Sequence, residues 1–375
     1  MCSLSRFVTV WSVLEQRVAD GRLPGYAAAV RHRGTTEVRT GGCLVRGGRD
    51  PVTADSLFRL SSLSKPYAGV LTLALAEDGV LALADPVTRW LPELAGFRVL
   101  AAPGGPLTDT VPAAREITVR DLLTNTAGFG ALFDGSPLDV ATVERGLGAG
   151  PFSPQLDPEE YLARLAGLPL AAQPGERWLY HACTDVLSVL LARAAGRPLG
   201  TVLTERVTGP LGLRDTGFRA RDARRLTAAY LPDGADLALL DGADGIAARP
   251  PVFEGLAAGL VATAGDVLAF LAALADGGGP VLTPGSVAVL TTPSLTGRQR
   301  ETAGDFLPAG VSWGLQIGVR VDDGLPGGWG WDGGTGTTGW ADPARDLVAV
   351  LLTTRGYGGP DDDLGAFWRA LHRCL

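Results

Sequence analysis

The sequence predicts a mixed α/β (α+β) fold: one antiparallel sheet, flanked by helices, is built from both chain ends, and a mostly helical lobe is inserted between them. Alternating apolar patterns predict strands near both ends of the chain, at 25–32, 36–45, 311–321, 329–340 and 347–354. Helical spacing dominates the middle of the chain. We therefore predict an α/β domain formed by 1–95 and 255–375, an inserted helical domain at 96–254, and a cleft between the two.

Cap residues and apolar spacing define the predicted helices. They cover 7–19, 62–77, 85–91, 118–123, a segment that opens at Asp157, 184–196, 263–275 and 361–373. Two segments lack clear periodicity. We expect 95–116 to form a long surface loop and 219–254 to be irregular, and we expect both to shape the rim of the cleft.

The composition argues against several classes of partner. The 375 residues are 46% hydrophobic, enough to bury a substantial core. The formal net charge is −7 and no basic stretch is present, so nucleic acid, whose binding rests on phosphate neutralisation, is not an expected partner. A membrane is not expected either, because no apolar run is long enough to span a bilayer. The sequence makes no prediction about oligomeric state.

The cysteines and histidines bear on compartment and metal binding. Cys2, Cys43, Cys183 and Cys374 are scattered without metal-ligand or redox spacing, which is typical of a reducing compartment. The N-terminus lacks the pattern of a secretion signal. The three histidines offer no ligand spacing. We therefore predict a cytoplasmic protein that uses neither a metal nor a cofactor.

Lys65 is the only lysine among the 33 lysine and arginine residues of the chain. Arginine cannot give up its proton in a protein, whereas lysine can when its surroundings lower its pKa. A chain that uses arginine at every other cationic position retains a lysine where arginine cannot replace it. This pattern indicates proton transfer at Lys65.

Ser62 lies three residues before Lys65, close to the start of a predicted helix. Pro66 places this start, because proline is tolerated only in the first turn of a helix. Ser62 and Lys65 then lie one turn apart on one face, where free backbone N–H groups and the helix dipole favour an alkoxide over an ammonium. The pair is a candidate nucleophile and base; a plain helix cap beside a solvated lysine is the alternative.

A serine nucleophile needs a second proton-handling group and donors to an oxyanion, and two stretches could supply them. In 173–182, Tyr180 ends a loop just before a predicted helix, where its phenol could face the cleft. In 330–337, glycines on a predicted strand allow a ligand to approach the backbone closely.

In order and approximate spacing, four elements resemble motifs of the serine β-lactamase and penicillin-binding-protein superfamily: Ser-Leu-Ser-Lys at 62–65, the segment 117–123, Tyr180 with 184–187, and 330–337. The segments 255–266 and 342–343 resemble further signatures of the family. The resemblance covers nearly the whole chain and is closest to the β-lactamase-like (family VIII type) carboxylesterases. It implies a β-lactamase/transpeptidase-like fold.

This resemblance also implies roles for individual residues. Ser62 would form an acyl-enzyme, and Lys65 and Tyr180 would share the general-base and general-acid steps. Their ordinary pKa values, near 10.4 and 10, must be shifted for work at neutral pH. The oxyanion hole would use the backbone N–H groups of Ser62 and Gly334.

The chain departs from the family pattern at two recognition positions. It has Tyr-His-Ala at 180–182 where many relatives have Tyr-x-Asn, and Trp-Asp-Gly at 331–333 where many have Lys-Thr-Gly or His-x-Gly. An amide and a cation are thus missing, and an indole and an acid stand in place of the cation. This favours a neutral, apolar acyl group over a β-lactam. The esterases of the superfamily often carry Trp-x-Gly here.

The remaining candidates for contacts with the substrate are Trp331, Asp332, Gly333, Asn125 and His181. Asn125 replaces a histidine common in the family, at a position that is more often structural than catalytic. His181 could tune the site or could be solvated at the edge of a loop. We expect Asp185 to serve the N-terminus of its helix.

The sequence thus predicts a serine hydrolase that acts on a small-molecule acyl substrate, namely small neutral carboxylic esters. One alternative is an acyltransferase, peptide cyclase or amidase that uses the same acyl-enzyme. A second is a weak β-lactamase or D-amino-acid peptidase. A third is a catalytically silent binding module, which the retained Ser62, Lys65 and Tyr180 argue against.

Overall fold

The structure is a computed structural model that describes residues 6–321, 327–359 and 362–375. Cys2, with the rest of the first five residues, and Asp361, at the predicted start of the last helix, lie outside these ranges. The described strands are β1 (Gly25–His32), β2 (Thr35–Gly42), β3 (Phe58–Arg59), β4 (Arg98–Leu100), β5 (Thr110–Pro112), β6 (Ala229–Asp233), β7 (Asp236–Asp241), β8 (Val261–Ala262), β9 (Val311–Trp313), β10 (Gly318–Arg320), β11 (Trp329–Gly333), β12 (Thr337–Asp342) and β13 (Leu347–Thr353).

Seven of these strands form one antiparallel sheet in the order β2-β1-β13-β12-β11-β10-β9. The two ends of the chain meet in the middle of this sheet, where β1 pairs with β13 and Val30 lies opposite Ala349. This confirms the predicted antiparallel sheet built from both ends of the chain.

Helices flank the sheet and fill the segment between its two halves. They are α1 (Val8–Ala19), α2 (Lys65–Glu77), α3 (Val119–Leu123), α4 (Pro137–Glu144), α5 (Pro158–Ala166), α6 (Ala182–Ala195), α7 (Leu199–Leu203), α8 (Ala264–Ala275), α9 (Pro284–Leu290), α10 (Gly297–Glu301) and α11 (Asp363–His372). The side chain of Thr118 caps α3, as predicted, and that of Thr263 caps α8. Helix α6 begins at Ala182, two residues before the predicted start.

The two faces of the sheet are covered by different helices. Successive side chains of a strand point to opposite faces. Val30 and Leu351 belong to the apolar cluster with α1 and α11, whereas their neighbours Ala29 and Val350 belong to the larger cluster that includes α2 and α8. The sheet is therefore buried on both sides near its centre.

Two segments that were predicted as single strands are hairpins. The segment 311–321 contains β9 and β10, and the segment 329–340 contains β11 and most of β12. The chain reverses near Gln316, at φ +63°, and at Gly336, at φ +83°. Both turns are buried between apolar strands, so the apolar alternation alone does not reveal the reversal.

Two segments that were predicted to lack regular structure also contain hairpins. Strands β4 and β5 lie within 95–116, with Val99 opposite Val111. Strands β6 and β7 lie within 219–254, with Leu231 opposite Ala238. These strands are only three to six residues long and partly exposed, so their sequence patterns are too short to stand out.

The two predicted units contact each other extensively. Helix α2, from the first unit, packs on α6, from the inserted unit. The largest buried apolar cluster combines Leu71 and Phe270 of the first unit with Leu122 and Leu190 of the inserted one. The division into 1–95 with 255–375, and 96–254, stays a prediction.

The helices of the described part of the chain are short compared with the thickness of a membrane. No single helix in the described part of the chain is long and apolar enough to cross a bilayer. One pair, Ala182–Ala195 with Leu199–Thr208, meets the criteria of length and composition together, with a bend of 81° between its members.

Candidate active site

Ser62 lies in a 3₁₀ turn, Ser61–Ser64, that joins β3 to α2. Ser61 adopts φ +48°, a region that residues other than glycine rarely occupy. Pro66 lies in the first turn of α2, as predicted. This sharp turn leaves Ser62 8% exposed, while Lys65 one helical turn later is fully buried.

The Nζ atom of Lys65 has three polar neighbours. They are the carbonyl oxygen of Ala257 at 2.7 Å, Ser62 Oγ at 3.2 Å and His181 Nδ1 at 3.4 Å. Burial lowers the pKa of Lys65 from 10.5 to about 7, because an ammonium ion is poorly solvated here, although the negative charge of Asp185 opposes this shift. Lys65 can therefore act as a base at neutral pH.

Tyr180 lies next to Ser62 and Lys65. Its ring centroid is 4.5 Å from Lys65 Nζ, and its Oη accepts a hydrogen bond of 2.6 Å from Trp331 Nε1. Burial raises the pKa of Tyr180 above 10, although hydrogen bonds with Ser62 and Trp331 oppose this. An indole N–H can only donate, so the phenol keeps its own proton free for another acceptor.

His181 connects Lys65 to Asp185. Its Nδ1 lies 3.4 Å from Lys65 Nζ, and its Nε2 lies 3.5 Å from Asp185 Oδ2. Both side chains are buried, with His181 4% and Asp185 2% exposed, so His181 is not a solvated loop residue. Burial lowers the pKa of His181 well below 6.5 and raises that of Asp185 to about 7. Asp185 does lie in the first turn of α6, but the prediction for it missed this contact.

The turn between β11 and β12 packs directly on the segment that precedes Ser62. The hydroxyl of Thr335 donates to the carbonyl of Arg59 at 2.7 Å, and that of Thr337 donates to the carbonyl of Leu60 at 2.8 Å. A Cβ atom at Gly333 would lie only 2.2 Å from the same Leu60 oxygen. Glycine at 333 thus allows a close approach within the chain itself.

Gly334 follows at the edge of the site. The carbonyl of Gly333 accepts from the N–H of Gly336 at 2.9 Å, inside the turn. Because the C=O and N–H of a trans peptide point in opposite directions, the N–H of Gly334 points out of the turn. The atom closest to a Cβ built on Gly334 would be Ser61 Oγ, 3.8 Å away, so this position borders open space beside the Ser62 turn.

Trp331 and Asp332 lie on opposite faces of β11, as successive residues of a strand do. The indole of Trp331 reaches Tyr180. Asp332 Oδ1 instead accepts hydrogen bonds from Thr338 Oγ1 at 2.5 Å and from Trp340 Nε1 at 2.9 Å. The structure therefore brings Trp331, but not the carboxyl of Asp332, to the other predicted site residues.

Asn125 supports the segment that carries Tyr180. It is fully buried at φ +56°, and its backbone carbonyl accepts from the N–H of Leu179 at 2.8 Å. Its Oδ1 accepts from Gln316 Nε2 at 3.3 Å, and Gln316 in turn accepts from Thr184 Oγ1 at 2.7 Å. These hydrogen bonds join the loop at 125, the turn at 316 and the start of α6.

An aromatic cluster extends from Tyr180 to the surface. Phe306 stacks on Tyr180 with ring centroids 5.5 Å apart, and Phe133 stacks on Phe306 at 4.7 Å. Phe133 is 58% exposed and Phe306 is 42% exposed. On the buried side, Trp178 stacks on Tyr180 at 5.3 Å. The outer pair forms an apolar surface continuous with the site.

The sequence did not predict the outer phenylalanines or the carbonyl of Ala257. Phe133 lies in an irregular segment and Phe306 ends a three-residue 3₁₀ turn, and neither segment is long enough for a periodic pattern to identify an aromatic residue. A backbone carbonyl is present at every position, so residue types cannot single one out. The resemblance at 255–266 was the signal available, and it identified the segment without its role.

The site combines a hydroxyl, an amine and a phenol. A neutral amine 3.2 Å from a hydroxyl can take its proton and create a nucleophile, and a protonated phenol nearby can return a proton to a leaving group. Among the residues that the structure describes, no group of three or more His, Cys, Asp or Glu side chains could hold a metal ion.

The fold is that of the β-lactamase/transpeptidase class, and comparison with known proteins agrees. The family model described as Beta-lactamase matches residues 11–373. The chain therefore belongs to the Beta-lactamase family, as the resemblance in its sequence predicted.

Relatives within this family cover most of the chain. An uncharacterized protein of Mycobacterium tuberculosis is 39% identical over 322 residues, which cover 80% of this chain and 78% of that protein. Esterase EstB of Burkholderia gladioli is 33% identical over 378 residues, covering 93% and 90%. The solved structure of EstCE1, described as a hydrolase with promiscuous acyltransferase activity, has a TM-score of 0.84 at 26% identity and covers 98% of both chains.

Proposed function

We propose that the protein is a serine hydrolase that cleaves small neutral carboxylic esters through an acyl-enzyme on Ser62. The observation that carries the proposal is the 3.2 Å contact between Ser62 Oγ and Nζ of the fully buried Lys65. With a pKa of about 7, much of this amine is unprotonated at neutral pH. Similarity to Esterase EstB and to EstCE1 supports ester cleavage.

Acylation would begin with proton transfer from Ser62 Oγ to the lone pair of Lys65 Nζ. As the O–H bond breaks, Oγ forms a bond to the carbonyl carbon of the ester, and the C=O electron pair moves onto the oxygen. The backbone N–H groups of Ser62 and Gly334 are the proposed donors to this oxyanion. When the C=O bond forms again, the bond to the alcohol oxygen breaks.

Tyr180 would carry the proton to the departing alcohol. Its raised pKa keeps the phenol protonated at neutral pH, so it acts as an acid and not as a phenolate base. The phenol gives its proton to the alkoxide and takes one from the Lys65 ammonium. This transfer returns Lys65 to its neutral form.

Deacylation would use the same groups with water as the nucleophile. Water gives a proton to Lys65 while its oxygen bonds to the acyl carbon. The bond between that carbon and Ser62 Oγ then breaks, and Oγ takes the proton from the Lys65 ammonium, which becomes neutral again. The products are the free carboxylic acid and the enzyme in its starting state.

The surroundings of the site favour an apolar substrate. Tyr180, Phe306 and Phe133 present aromatic rings from the catalytic groups out to the surface. The carboxyl of Asp332 is held on the other face of β11 by Thr338 and Trp340. A neutral ester with an apolar acyl group therefore fits this side of the site better than a charged one.

Acyl transfer is a second candidate function, favoured by the acyltransferase activity described for EstCE1. Here an alcohol or amine replaces water in the second half of the reaction. A panel of alcohol and amine acceptors at high concentration tests it. Formation of the hydrolysis product alone, with every acceptor, would exclude acyl transfer.

The decisive test of the proposed function is covalent labelling with a fluorophosphonate, followed by peptide mass spectrometry. We expect one adduct on Ser62 in the wild type and none in Ser62→Ala. Ser61→Gly is the matched control, because it removes the neighbouring hydroxyl at a φ of +48° that glycine accepts. An unlabelled wild type, as expected for a silent binding module, or an equally labelled Ser62→Ala variant, would reject the nucleophile.

We also propose a cytoplasmic location, based on the scattered cysteines of the sequence. Cys43, Cys183 and Cys374 are free thiols in the described ranges. Fractionation of the native host, with blotting for the protein, tests this proposal. Recovery from an extracytoplasmic fraction would reject it.

A further inference from the structure

We propose that His181, held by Asp185, is a positioning residue that aims the lone pair of Lys65 at Ser62. The inference rests on the proposed function and adds two residues to it. His181 would not touch the substrate; it would act only through the amine.

The backbone at His181 is held in a conformation that residues other than glycine rarely adopt. Its φ of +82° and ψ of −70° are those of a γ-turn, which the hydrogen bond from the N–H of Ala182 to the carbonyl of Tyr180, 3.3 Å long, closes. Such strain persists where the surrounding structure imposes it, and it is frequent at functional sites. Here the turn places a buried imidazole directly behind Lys65.

The hydrogen bonds of a neutral lysine require a second acceptor at this position. A neutral amine has two N–H donors and one lone pair. If the lone pair is to take the proton of Ser62, both N–H groups must bond elsewhere. The carbonyl of Ala257, at 2.7 Å, takes one, and His181 Nδ1, at 3.4 Å, is placed to take the other.

His181 Nδ1 can accept only if the ring proton is on Nε2. The Nε2 atom faces Asp185 Oδ2 at 3.5 Å. This carboxyl ionises near pH 7, and once ionised it favours the Nε2–H tautomer. Burial keeps the imidazole neutral, since it lowers the pKa of His181 well below 6.5. With the opposite tautomer, Nδ1–H would donate to the lone pair of Lys65 and compete with Ser62.

Several other groups face His181 and Asp185. None of them changes the assignment of His181 as a neutral imidazole with its proton on Nε2. Tyr180 precedes His181, with ring centroids 6.0 Å apart; Tyr161 of α5 faces Asp185, and the thiol of Cys183 lies nearby. Burial raises the pKa values of these two tyrosines and of the thiol, so all three are neutral near pH 7. Lys65 and Asp185 are the members of this set whose charge changes in that range.

Two nearly isosteric variants test the inference. His181→Asn keeps an acceptor close to the position of Nδ1, whereas His181→Leu removes it. We expect the rate of fluorophosphonate labelling of Ser62 to stay within about threefold of wild type in His181→Asn and to fall at least about tenfold in His181→Leu. Equal rates in the two variants, or a wild-type rate in His181→Leu, would overturn the proposal.

His32 provides the control for the removal of a buried histidine. It is 8% exposed and lies on β1, packed edge-on against Phe7. We expect His32→Leu to label at the wild-type rate. A loss there equal to that in His181→Leu would overturn the proposal, because the effect would then be general destabilisation.

A spectrum of the unmutated protein tests the tautomer without any risk of misfolding. The chain has only three histidines, so long-range ¹H–¹⁵N correlation spectra of protein labelled with ¹⁵N-histidine are simple, and His181→Asn identifies the signal. We expect His181 neutral, with the proton on Nε2, at the pH of activity. An Nδ1–H tautomer or an imidazolium would overturn the inference. Absence of labelling in the wild type would instead reject the proposed function.

Discussion

The position of Lys65 in the sequence predicted its role in proton transfer but not the size of its pKa shift. As the only lysine of the chain, it indicated a position where a cationic side chain must lose its proton. Its spacing from Ser62 predicted the contact that the structure shows at 3.2 Å. The sequence could not supply the size of the pKa shift, because desolvation depends on every atom packed around Nζ and not on the neighbours in the chain.

The pH dependence of acylation follows from this shift. The neutral amine is the active form, so we expect the rate of Ser62 labelling to rise with pH and to level off above a midpoint of about 7. Measurement between about pH 5 and about pH 9 checks this. Lys65→Arg is the control, because it cannot lose its proton and should label at least about 10²-fold more slowly. A midpoint near the ordinary lysine value would contradict the assignment.

Tyr180 allows a test that separates its hydroxyl from its ring. Tyr180→Phe keeps the stacking but removes the proton carrier, so we expect kcat for p-nitrophenyl butyrate to fall about 10²-fold. The Trp331 N–H also loses its acceptor, which should cost about 1–3 kcal/mol in the free energy of unfolding. Steady-state kinetics and urea unfolding measure the two effects.

Tyr230 is a matched control that separates a loss of kcat from a loss of stability. Tyr230 is also buried, and its hydroxyl accepts one N–H, from Arg46 at 3.0 Å. We expect Tyr230→Phe to lower stability while it leaves kcat unchanged. Similar losses of kcat in both variants would show that Tyr180 acts through stability alone.

At the scale of elements, local chemistry predicted helices better than strands. The cap at Thr118 and the left-handed Gly196 that ends α6 are set by neighbouring residues, and both lie where the sequence placed them. The turns at Gln316 and Gly336 divide two predicted strands, and they are stabilised by contacts with residues far away in the chain. A pattern of apolar residues does not contain that information.

The turn after β11 provides a prediction about two adjacent glycines. A side chain at Gly333 would collide with the carbonyl of Leu60, whereas one at Gly334 would meet only ordinary contacts. We expect Gly333→Ala to lower the free energy of unfolding by about 1–3 kcal/mol and Gly334→Ala to change it by less than about 0.5 kcal/mol. Urea unfolding of both variants checks this. Equal stability of the two would mean that β11 does not press on the Ser62 turn as the structure shows.

At the scale of the whole molecule, the site joins three distant parts of the chain. Ser62 and Lys65 come from the N-terminal part, Tyr180 and His181 from the middle, and the turn that contains Gly334 from the C-terminal strands. Proteins that share a fold differ in the side chains that form their sites. The fold alone therefore does not determine whether the substrate is an ester or a β-lactam.

We expect esters to be strongly preferred over β-lactams. The positions at 182 and 331 lack the amide and the cation that hold a β-lactam in many relatives, while the aromatic surface suits a neutral acyl group. The kcat/KM for a chromogenic cephalosporin should be at least about 10²-fold below that for p-nitrophenyl butyrate. Equal values for the two substrates would contradict this preference, and Ser62→Ala identifies any background hydrolysis.

The sequence by itself determined the antiparallel sheet from both chain ends, the start of α2 near Pro66 and the pairing of Ser62 with Lys65, because each of these depends on periodicity or on spacing within one turn. Only the tertiary structure decided that Lys65 is desolvated, that His181 lies between Lys65 and Asp185, and that Asp332 is hydrogen-bonded on the far face of its strand. Burial, tautomer choice and contacts between distant segments depend on atoms that the fold brings together, and neighbours in the sequence do not specify them.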